Sequence, residues 1–149
     1  MTARLNTARA SLVIGLLIGL MSWKESVGHI GNADFLVPSF PLVATHAWYH
    51  VFREACGDIA KMGVLLLFFF GPQHWRTTIG WWVCLILMLG YYAPFWIGEP
   101  FLHELSAPIP FAGRVHVAMA FFAFLGLALA QPSFFRSRRP GNDGPRGEA

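Results

Sequence analysis

The sequence predicts an all-α integral membrane protein, a bundle of four transmembrane helices with both termini cytoplasmic. Three observations lead there. Of the 149 residues 55% are hydrophobic and only 13% charged, about half the roughly 25% usual in a soluble domain, and mean hydropathy is +0.49. The apolar residues gather in four runs, the first shorter than the others, near the ~20 residues that cross a hydrocarbon core of about 30 Å. The basic residues flank these runs instead of forming one patch, so the net charge of +3 carries topology and does not predict nucleic acid as a partner. The composition also excludes a disordered chain and a disulfide scaffold: Cys56 and Cys84 lie in separate apolar runs without a CxxC pair and read as small buried hydrophobes.

The first span covers about residues 10–23, after Arg4 and Arg9. A basic start followed by a brief apolar run also describes a signal peptide. No A-x-A-like site follows, however, and Lys24 and Glu25 come directly after, so the segment reads as an uncleaved helix. The second span covers about 47–70, ending in VLLLFFF before Gly71 and Pro72. The third covers about 78–97 with a kink at Pro94, and the fourth about 115–131, stopped by Pro132. Backbone groups in lipid must be paired within the chain, which leaves helices as the spanning form. Residues 1–135 thus make one domain, and the polar, Gly- and Pro-rich residues 136–149 read as a disordered cytoplasmic tail.

With four spans, Arg4, Arg9, Arg76, Arg136, Arg138, Arg139 and Arg146 fall on one side, seven of the eleven basic residues. The positive-inside rule makes that side cytoplasmic, in the inner membrane if the chain is bacterial. The two outer connections, about 24–45 and 99–114, are too apolar for solvated loops. Pro38, Pro41, Pro100, Pro108 and Pro110 argue against regular helix through most of them, so they read as an interfacial lid. Trp23, Trp48, Tyr49, Tyr91, Tyr92 and Trp96 form the expected outer aromatic belt, and Trp75, Trp81 and Trp82 the inner one.

The outer half also gathers six of the eight acidic residues and five of the six histidines. In HAWYHVFREACGDIAK the residues His46, His50, Glu54 and Asp58 recur every four positions, which places them on one helix face. Lys61 returns to that stripe, and Gly57 in the same sector offers close approach to another helix. Tyr49, Phe52, Cys56 and Ile59 fall on the opposite side. Counted back from Gly71, Lys61 lies about 15 Å and Asp58 about 20 Å from the inner boundary. An ionised group at such depth costs at least about 2.5–3.5 kcal/mol, so the two are expected to pair. Arg53 and Glu54 form a second expected pair nearer the interface, and the four residues are candidates for an ion-pair network or proton relay.

The function expected from this pattern is an ionisable His/carboxylate site opening to the extracytoplasmic side, for metal binding or proton-coupled chemistry. Imidazole and carboxylate suit a transition metal, with His46, His50 and Glu54 as candidate ligands and Glu99, His103 and His116 for the remaining positions. Axial haem ligation by His50 and His116 has only helix depth behind it. No complete signature such as HExxH, and no phosphate loop, nucleophile elbow or GxGxxG, is present. The alternative is an accessory subunit of a larger membrane complex or a self-associating protein. It would dock through the small residues of the fourth helix: Ala112, Gly113, Ala118, Ala120, Ala123, Gly126, Ala128 and Ala130. The sequence does not decide whether the protein is an enzyme.

Overall fold

The computed structural model describes residues 2–36, 45–98, 100–102, 105 and 109–135. All of the expected tail, part of both expected lids, and Glu99 and His103 lie outside the described residues. Within them the chain is all-helical: α1 (Thr2–Gly28), α2 (His46–Phe70), α3 (Thr78–Tyr92), the short α4 (Pro94–Ile97) and α5 (Pro110–Phe134). The four long helices surround one apolar core that includes Leu12, Leu65, Phe69, Met88, Tyr92, Met119 and Phe134. Each long helix packs on two others, α1 on α5 and α2, and α3 on α5 and α2.

Several ends differ from the sequence expectation for physical reasons. α1 runs through Lys24 and Glu25 because no glycine or proline interrupts it between Trp23 and Gly28; Gly31, at φ +86°, then turns the chain. Pro110 opens α5 instead of preventing it, since its fixed φ suits the first helical position. Pro132 does not stop α5, which runs on to Phe134. Pro132 has no N–H for the Ala128 carbonyl, but only Ser133 and Phe134 follow it in the helix, and Phe135 N–H still reaches the Gln131 carbonyl at 3.0 Å. At the third segment Pro94 has no N–H for the Gly90 carbonyl, so α3 ends at Tyr92 and α4 resumes after Ala93. Thr77 caps α3, its hydroxyl accepting from Gly80 N–H at 3.0 Å.

The tightest contact joins α1 and α5, which run antiparallel. A Cβ on Gly15 would lie 2.8 Å from both Ala123 N and the Met119 oxygen, and one on Gly126 would lie 2.8 Å from the Ala8 oxygen. Buried Ala8 and Gly15 of α1 meet Gly126 and Ala123 of α5, small-residue packing that lets two helix backbones approach closely. Ser11 Oγ donates to the Phe122 carbonyl at 2.7 Å across this seam. Of the small residues of α5, Ala120, Ala123, Gly126 and Ala130 are buried, whereas Ala128 is exposed.

Exposed apolar side chains occur on all four long helices: Leu17, Phe52, Leu67, Ile79, Ile86, Val117 and Phe121 are each more than half exposed. By length and composition two helices, α1 and α5, suffice to cross a membrane. α3 is apolar but has 15 residues, and α2 carries Arg53, Glu54, Asp58 and Lys61 within its 25.

At the end where α2 stops, three arginines hold helix carbonyls. Arg4 Nε donates to Leu129 O at 3.0 Å, Arg9 Nε to Phe69 O at 2.9 Å, and Arg76 Nη1 to Gly71 O at 2.7 Å. Cations at a helix C-terminus meet the negative end of its dipole. Burial, and then the charge of Arg9, hold the Arg76 guanidinium below its ordinary value.

Candidate functional site

The other end of the bundle is open. From the close crossing at Gly15 and Gly126 the helices part, and a cavity of about 640 Å³ lies between them. α1 lines it with Met21, Ser22, Glu25 and Ser26, and His29 just beyond; α2 contributes Glu54, Asp58 and Lys61. Gly90, Tyr91 and Pro94 close the third side, and Phe111, Ala112, Val115 and His116 of α5 the fourth. The size falls within the roughly 300–1,000 Å³ of small-molecule sites, as does the mix of apolar wall with a few polar groups.

Asp58 and Lys61 mark the deep end. Lys61 Nζ donates to Asp58 Oδ1 at 3.0 Å, and the side chains are 36% and 10% exposed respectively. The ammonium also lies 5.3 Å from the centre of the Tyr91 ring, close enough for attraction to the π face. Below the pair is a second void of about 10 Å³, lined also by Leu16, Met62 and Met88, about the space of one water molecule. The ion pair thus stands between the open cavity and the apolar core.

His116 faces the cavity from α5, its Nε2 3.3 Å from Ser22 Oγ on α1. Trp23 Nε1 donates to the Ala55 carbonyl at 3.0 Å, tying α1 to α2 beside the cavity. Trp48 Nε1 donates to Asn32 O at 3.1 Å, which holds the start of α2 against the turn after α1.

The four-residue stripe divides in the structure. Glu54 and Asp58 turn into the cavity, whereas His46 and His50 stay at the helix end, with Nε2 atoms 2.8 Å apart. Arg53 does not pair with Glu54. Adjacent helical residues point about 100° apart, and Arg53 Nη2 donates instead to His50 Nδ1 at 3.1 Å while lying over the Tyr49 ring. Gly57 receives no helix, since a Cβ there would meet nothing within 4 Å. Tyr49, Phe52, Cys56 and Ile59 are exposed on the outer side of α2. Among the described residues no three His, Cys, Asp or Glu side chains converge on a common point. His50 does not line the cavity that holds His116, so the two are not arranged as an axial haem pair.

The contributions from α1 are missing from any pattern on α2. Ser22, Glu25, Ser26 and His29 follow a helical face spacing of three and four, and this could have been read once α1 was extended past Trp23. Comparison of the chain with protein-family models, with curated proteins and with solved structures returns no match.

Proposed function

We propose that the protein is a multi-pass membrane protein that binds a small ligand from the extracytoplasmic side in this cavity, with proton exchange at Asp58. α1, α2, α3 with α4, and α5 would be the four spans, with both termini and the Arg76 loop cytoplasmic. The observation that carries the reading is the Asp58–Lys61 pair, with Asp58 buried, at the deep end of a cavity of about 640 Å³. Intramembrane ionisable groups are costly and mark ligand or proton pathways. The apolar exterior and the inward carboxylates have the polarity expected of a bundle in lipid. Metal binding at His46 and His50 is less well supported, since those rings lie outside the cavity and Arg53 already occupies His50 Nδ1.

Difference infrared spectroscopy in lipid tests the proton exchange. Acidification should produce a protonated-carboxyl band that vanishes in Asp58→Asn and shifts quickly in D2O, because the cavity joins Asp58 to the outer water. A band unaffected by Asp58→Asn, or one that exchanges over hours, contradicts the proposal.

A further inference from the structure

Resting on the cavity reading, we propose that the ligand is a lipophilic organic cation, received by Glu54 and by the second carboxylate oxygen of Asp58. The charge balance comes first. The described lining carries three carboxylates, Glu25, Glu54 and Asp58, against one ammonium, that of Lys61. Lys61 is committed to Asp58, and neither Glu25 nor Glu54 forms an ion pair among the described residues. Two negative charges on different helices thus face one open cavity without a counter-charge among the described residues.

Asp58 supplies an independent observation. Its side chain is nine-tenths buried and lines the cavity, yet only Oδ1 is engaged, by Lys61. Oδ2 accepts no hydrogen bond among the described residues. A carboxylate has about four lone-pair sites, and a buried one with an unused oxygen offers a strong acceptor to an incoming N–H or an attractive charge to a quaternary centre. Glu54 lies one helical turn nearer the mouth, about 6 Å along the axis, so the two carboxylates form a short acidic track.

The remaining wall selects for an apolar body. Met21, Tyr91, Phe111 and Val115 are cavity residues, and aromatic faces attract organic cations as well as hydrocarbon. An inorganic cation would leave this wall unused, and an anion would be repelled by Glu25 and Glu54. A neutral ligand would draw no attraction from either carboxylate.

Tetraphenylphosphonium and tetraphenylborate are matched in shape and opposite in charge, which makes them the direct probes. The full chain in a neutral detergent should bind tetraphenylphosphonium saturably and close to one-to-one in equilibrium dialysis, after subtraction of micelle-only partitioning. Tetraphenylborate should show no saturable component. Glu54→Gln should weaken the cation at least tenfold and Glu54→Lys should abolish its binding; Glu54 is exposed, so both variants should fold. Equal saturable binding of the two probes would overturn the cation preference and leave the cavity reading standing. No saturable binding of either probe to folded protein would overturn this inference, while the infrared test on Asp58 decides the cavity reading separately. Unchanged cation affinity in Glu54→Lys would also overturn it.

Discussion

Asp58→Ala is expected to lower stability by about 3 kcal/mol, the low end of the 3–5 typical when one partner of a buried ion pair is removed. The low end applies because the Lys61 side chain is 36% exposed to the cavity and keeps its place near the Tyr91 ring. The loss arises because the ammonium is stranded, not because the pair is intrinsically stabilising. Asp58→Leu combined with Lys61→Met should therefore recover most of it, as apolar replacement of buried pairs often does. Thermal unfolding in one detergent, run on Asp58→Leu, Lys61→Met and the double, gives the coupling energy. A double variant no more stable than Asp58→Ala would show that the pair is not the unit described here.

Gly126→Leu should be at least as damaging. The first added carbon alone would stand 2.8 Å from Ala8 O and 2.9 Å from Leu12 N. Both are backbone atoms of α1, so no rotamer change relieves the clash and the two helices must separate. Overpacked cores lose about 1–3 kcal/mol and occasionally more, and a whole isobutyl group at a backbone contact belongs at or beyond the top of that range. Separation would also stretch the Ser11–Phe122 hydrogen bond of 2.7 Å. Gly57→Ala is the matched control: nothing lies within 4 Å of a Cβ there, and the gain in helix propensity of roughly 0.5–1 kcal/mol should leave it neutral or slightly more stable. Similar unfolding temperatures for Gly126→Leu and wild type would refute the close α1–α5 seam.

The helices were legible because hydropathy and proline placement act locally. α2 lies within a residue of its expected start and at its expected end, where Gly71 and Pro72 follow. The ends of α1 and α5 differ from the expectation because charged Lys24 and Glu25 do not end a helix, Pro110 suits a first helical position, and Pro132 stands two residues before the end of α5. The polar stripe was legible as far as Glu54, Asp58 and Lys61, whose helical spacing keeps them on one face. The separation of Glu54 from His46 and His50 was not legible, because it depends on which neighbour stands opposite each turn. The cavity was hidden for the same reason. It exists because α1 and α5 touch at Gly15 and Gly126 and part further out, and a crossing point belongs to two helices far apart in sequence. The small residues of α5 announced close packing, but only the matching Ala8 and Gly15 on α1 show which helix fills that role.

Sidedness tests the central proposal most directly: a polar cavity within a membrane-embedded bundle, open only to the outside. In a background with Cys56 and Cys84 replaced by alanine, Ser26→Cys places a thiol on the cavity wall and Gln73→Cys places one in the exposed turn at the opposite end. A membrane-impermeant maleimide added to intact cells should label Ser26→Cys at once and Gln73→Cys only after permeabilisation. Labelling of Gln73→Cys in intact cells with Ser26→Cys protected, or equal labelling of both, would contradict it.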